Sequence, residues 1–179
     1  MRENYRLLSV LIFSLFFAGS VTAQNSSVYS NLTGGGCRRV KTDSETGGSE
    51  SRCRGYGKWS LMVLDDDNRM SVNVVSPDGK QSELDFWTIV TTAFSSLGGK
   101  AEWRVRKDGK TVKPIALIVR VNATVEEDGK QKRQSYLAVS KITDDAVCVV
   151  EKISDQRNAN QLARDSADHA AAKPCLQPE

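Results

Sequence analysis

The stretch LDFWTIVTTAFSSLGGKAEWRVRKDGKTVKPIALIVRV, Leu84 to Val121, holds two of the three tryptophans and the longest apolar strand pattern in the chain. Its first part has two competing readings. Phe86, Ile89, Val90, Ala93, Phe94 and Leu97 recur at helical spacing, with Asp85 placed as an N-cap and Gly98-Gly99 as a stop. The threonines and β-branched residues argue for a strand instead. The periodicity covers three turns and predicts a helix over 85–97. Ala101 to Lys107 then alternates Trp103 and Val105 against Glu102, Arg104 and Arg106, which makes a strand with one apolar and one charged face. Asp108-Gly109 is a hairpin turn signal, and Pro114, lacking an amide donor, is expected to interrupt the pairing. Ile115 to Val121 is apolar on both faces and predicts a central strand.

Downstream, a second Asp-Gly turn at Asp128-Gly129 pairs that strand with Gln134 to Ile142. Counting outward from the turn sets Val121 against Tyr136 and Ile118 against Val139. Ala146 to Lys152 supplies a short strand carrying Cys148. From Asp155 to Ala172 a stripe of Ala159, Leu162, Ala163, Ser166, Ala167 and Ala170 predicts a helix, capped by Ser154 or Asp155 and stopped by Pro174.

Upstream, Gly57 to Leu64 and Arg69 to Ser76 alternate as a hairpin around the turn Asp65-Asp66-Asp67-Asn68. That turn is acidic, but a calcium loop needs spaced ligands, a glycine and a distal glutamate, which are not in register. The segment between Cys37 and Cys53, rich in Ser, Thr, Gly and charge, reads as a surface loop closed by a disulfide. Gln24 to Gly36 is polar and ends in three glycines, a composition that predicts a flexible arm over 24–36.

The chain begins with Arg2 and Arg6 ahead of an apolar run from Leu7 to Ala18, then small residues ending at Ala23. This is the pattern of a signal peptide over 1–23 cleaved after Ala23. The run is shorter than the roughly 20 residues of a transmembrane helix, so no membrane span is expected in the mature chain. Cys37, Cys53, Cys148 and Cys175 all follow the leader. An even count in an oxidising compartment implies two disulfides, and the arrangement favours Cys37 with Cys53 and Cys148 with Cys175. The net charge of +3 includes +1 from Arg2 and Arg6 against Glu3, leaving +2 after Ala23, too little for a nucleic-acid footprint.

Catalytic and metal motifs are sparse. The single histidine, His169, falls near the end of the alanine-rich helix, and no Cys-x-x-Cys, nucleophile elbow or phosphate-cradling loop occurs. These residues imply no metal and no cofactor. The candidate binding residues are the basic row Arg104, Arg106 and Lys107, joined by Arg120 on a neighbouring strand and by Trp87.

GCRR, LDFWTIVTTAFSSLGGKAEWRVR, PIALIVRVNA and the closing KPCL resemble a group of uncharacterised exported bacterial proteins of similar length. The resemblance implies export and a single domain and transfers no functional residue.

The expected fold is α+β: a mainly antiparallel sheet of about six strands with one internal helix and a disulfide-tethered C-terminal helix, in one domain over 37–179. The expected function is non-catalytic binding in the periplasm or outside the cell, to an unknown protein or an anionic envelope component. The protein would serve there as an enzyme inhibitor or an envelope-associated factor. A hydrolase using Ser/Lys or paired carboxylates is one alternative, although the motifs lean away from an enzyme. A structural or assembly subunit is the other.

Overall fold

A computed structural model describes residues 25–178; the expected leader lies outside them. Ten strands form the sheet: β1 (Asn25–Asn31), β2 (Cys37–Thr42), β3 (Ser49–Arg54), β4 (Ser60–Asp66), β5 (Arg69–Val75), β6 (Gln81–Glu83), β7 (Phe94–Asp108), β8 (Thr111–Glu127), β9 (Lys130–Ile142) and β10 (Val147–Ser154). Two helices complete the fold, α1 (Phe86–Ile89) and α2 (Ala159–Asp168), the latter followed by a 3-10 turn at Ala170–Ala172.

The sheet has ten strands and not about six, because β1, β2, β3 and β6 are built from polar sequence without apolar alternation. β1 corrects the flexible arm. Its seven residues pair antiparallel with Lys100 to Arg106 of β7, and its polar side chains are used: Ser30 Oγ accepts the Trp103 indole N–H at 2.9 Å. β2 and β3 likewise turn the expected loop into a hairpin with Cys37 directly opposite Cys53.

The internal helix is also shorter than expected. Only one turn, Phe86–Ile89, is helical, and the chain is already a strand at Phe94. The β-branched run Thr88 to Thr92 disfavours further turns, and β8 offers a ladder to everything from Phe94 on. Gly98-Gly99 is therefore a bulge inside β7, marked by the register shift between Leu97 and Ala101, and not a helix stop. Gly98 lets β7 pass β8: a Cβ there would lie 2.9 Å from Arg120 Cβ. Pro114 does not break the ladder either. It stays opposite Val105 and the register shifts by a bulge next to it.

The Asp128-Gly129 turn takes positive φ at both residues, +52° and +72°, as a two-residue hairpin of this kind requires. It sets Val121 against Tyr136 and Ile118 against Val139, the register expected from the sequence.

β5 and β7 touch in parallel only at Arg69 and Ser95. At this corner the sheet divides into two halves, β2 to β6 and β1 with β7 to β10. The halves face each other across one core, in which Leu61, Val63, Val72 and Val74 meet Trp103, Leu117, Val119 and Val121, with Phe86 and Val90 filling between. A second apolar layer lies outside β8 to β10. There Ala159, Ala163, Ala167 and Ala170 pack on Ala116, Ile118, Val139 and Ile153. The helix starts at Ala159 after Asn158, later than the expected caps Ser154 or Asp155, and Leu162 falls outside the buried stripe at 43% exposure.

Both disulfides form as expected, Cys37–Cys53 and Cys148–Cys175. The second ties the segment after α2 back to β10, where Leu176 N–H also donates to the Val149 carbonyl at 2.8 Å. No helix among the described residues is long and apolar enough to cross a membrane.

Candidate functional site

Much of the basic row is engaged within the fold. Glu102, Arg104 and Arg106 alternate outward from the core side of β7, and α2 lies over that face. Arg104 is 8% exposed. Its Nε and Nη2 donate to the two Asp168 carboxylate oxygens of α2, each at 2.8 Å, while Nη1 donates to Ser27 Oγ of β1 at 2.5 Å. Glu102 accepts from Ser27 Oγ at 2.5 Å and from Arg164 Nε of α2 at 2.7 Å. Arg120 donates to Ser135 Oγ at 2.8 Å and to Asn160 Oδ1 of α2 at 3.2 Å. An alanine stripe buries little area per residue, so these polar contacts supply the specificity that seats the helix. Of the expected row, Arg106 donates to Asn25 Oδ1 at 3.2 Å and Lys107 is exposed; Trp87 lies elsewhere, beyond the opposite half of the sheet.

Burial pushes the Glu102 carboxyl up, but hydrogen bonds from Arg164 and Ser27 outweigh it and hold the group below the ordinary glutamate value. A depressed carboxylate contributes stability that is fully present above its unfolded value, about 4.3, and lost as pH falls through the lower folded value. Stability of the chain is thus expected to fall with acidification below that point. Glu102→Gln should show a shallower fall in urea midpoints followed by tryptophan fluorescence; parallel slopes in both proteins would contradict the assignment.

Ser166, Lys173 and Glu151 do converge. Lys173 Nζ donates to Ser166 Oγ at 2.8 Å, Ser166 Oγ donates to Glu151 Oε2 at 2.6 Å, and Lys173 also pairs directly with Glu151. A serine–lysine nucleophile needs a neutral amine that accepts the serine proton. Here Lys173 is paired with Glu151 and Ser166 lies against both, a contact that fixes the segment after α2 to β10.

The exposed arginines on the other half of the sheet are arranged differently. Arg38 of β2 lies directly opposite Arg52 of β3, and Arg54 follows two residues on, so all three project from one face. They line a cleft of about 420 Å³ together with the Cys37–Cys53 bridge, Trp59 and the backbones of Gly36 and Gly55. Among the described residues no carboxylate lines it. Arg52 Nε donates to Ser60 Oγ at 3.2 Å, and neither Arg38 nor Arg54 has a side-chain partner among the described residues. Like charges directly opposite in a sheet are destabilising. Three guanidinium groups without a counter-charge form instead a set of forked donors matched to an oxyanion.

The sequence alone does not show this site, because Arg38 and Arg52 fall in the expected loop between Cys37 and Cys53 and Arg54 just beyond it. The cue was present: once Cys37 bonds Cys53, antiparallel counting puts Arg38 opposite Arg52. No protein-family model matches the chain, and neither a curated protein nor a solved structure is significantly similar to it.

Proposed function

We propose that the protein is an exported, non-catalytic binding protein that holds an oxyanion-bearing component of the cell envelope in the Arg38, Arg52 and Arg54 cleft. The observation that carries this reading is the grouping of three arginines on one face with no lining carboxylate. The two disulfides fit folding in an oxidising compartment, in line with the leader pattern before Gln24. The role is that of an envelope-associated factor in the periplasm or outside the cell. The edge strand β2 does not favour an assembly subunit: it carries Arg38, Arg39 and Lys41 along its six residues, and charge on an edge opposes strand addition.

The test uses the disulfide-bonded chain from Gln24, with tripolyphosphate as soluble probe and vesicles of phosphatidylglycerol in phosphatidylcholine as surface probe. Hydrogen bonds to charged groups contribute about 1.5–3 kcal/mol each. Arg38→Glu with Arg52→Glu is therefore expected to weaken tripolyphosphate binding at least about tenfold, with affinity of the parent falling as salt rises. Equal affinity in both proteins rejects the cleft, and capture of an acidic protein in place of either probe would reassign the ligand.

A further inference from the structure

The face that carries the arginines continues into a second cleft of opposite charge. A single cross-strand row runs from Arg38 and Arg52 through Met62 to Asn73 and Glu83, and beyond Met62 the surface opens into a cleft of about 400 Å³. Trp87, the aromatic singled out in the sequence, lines it. So do Asp65, Asp66 and Glu83, whose carboxylates make no side-chain hydrogen bond or ion pair among the described residues. Glu50 is already paired with Lys41 at 3.1 Å.

A second observation is independent of these carboxylates. Asn73 is 2% exposed and lines the same cleft, yet its carboxamide has no hydrogen-bond partner among the described residues. Its carboxamide is not among the polar atoms sealed from solvent, so it opens onto the cleft as an acceptor and donor available to whatever enters there. A metal ion fits poorly, since no three acidic, histidine or cysteine side chains among the described residues converge as ligands. Spread carboxylates beside an indole and a buried amide carbonyl suit a larger, softer cation, which the ring face attracts and the carboxylates neutralise.

We infer that this cleft binds an organic cation, an alkylammonium or guanidinium group, with Trp87 beside it, Glu83 and Asp65 as counter-charges and the Asn73 carbonyl accepting one of its N–H groups. The site is separate from the arginine cleft and does not depend on its ligand.

The test follows the Asn73 side-chain amide resonances by NMR in the disulfide-bonded chain from Gln24. Agmatine and a trilysine peptide represent free and peptide-borne cations, and calcium is a control. Saturable shifts of the Asn73 amide with either organic cation are expected, and the arm that binds more tightly identifies the source. Affinity should drop about fivefold in Trp87→Leu and in Glu83→Gln, both substitutions outside the core, and should be unchanged in Lys130→Gln at the distant β8–β9 turn. An Asn73 amide that moves with calcium alone or with no cation, or binding indifferent to both cleft substitutions, overturns the inference.

Discussion

Asp168→Ala is expected to lower the unfolding free energy by about 3–5 kcal/mol, the range for removing one partner of a buried ion pair. The cost comes from what remains. Arg104 would stay beneath α2 with only Ser27 Oγ to accept from it, and the helix would lose the bidentate contact at its C-terminal end. The pair itself is not the source of net stability, because each ion gave up its hydration to form it. Replacing both, Arg104→Met with Asp168→Leu, should consequently recover most of the loss. Urea unfolding of the disulfide-bonded chain checks both; a loss below about 1 kcal/mol in Asp168→Ala would mean that the pair behaves as a solvated surface bridge.

Trp103→Ala should cost a similar amount, about 3–5 kcal/mol. Trp103 is fully buried and sits where three parts of the molecule meet. Its ring lies 6.5 Å from Trp59 at 57°, its N–H reaches β1 through Ser30, and Gly55 packs against it so closely that a Cβ would lie 2.7 Å from the ring. Trp103→Phe keeps much of the volume and loses the hydrogen bond, so its cost should be smaller, by the difference between a cavity and one bond of about 1 kcal/mol. The same unfolding experiment distinguishes them, and equal losses in the two variants would mean that packing at this point carries little of the energy.

The parts of the fold that could be read from the sequence are those whose residues bury apolar surface with a clear period. β8 and β9 alternate around a turn whose Asp-Gly pair accepts positive φ, so even their register was legible. β1 was not, because a strand held by backbone pairing, by Ser27 and Ser30, and by the Tyr29 hydroxyl that accepts from Arg164 Nη2 at 3.1 Å has the composition of a free arm. The helix expected over 85–97 failed for a related reason: Phe86, Ile89 and Val90 do face inward, but Phe94 is 57% exposed. Partnering β8 outweighed local spacing there.

The arginines divided in a way that spacing alone does not reveal. Arg104 and Arg120 look like an outward charged face until α2 is laid over them, and only the pairing of Asp168, Arg164 and Asn160 with that face makes them structural. Arg38, Arg52 and Arg54 look like the rim of a loop until the hairpin brings them together. Trp87 lines a cleft whose surroundings are acidic, the same sign as the anionic ligand expected for the basic row, while Arg106 lines a separate cleft beside Pro114 and Asp168.

The division of the arginines is tested most directly by an NMR titration of the disulfide-bonded chain with tripolyphosphate, following the Nε–Hε resonance of every arginine. The resonances of Arg38, Arg52 and Arg54 should shift saturably, while those of Arg104 and Arg164 stay in place. Shifts centred on Arg106 and Arg120, with the β2–β3 arginines unmoved, would contradict the account.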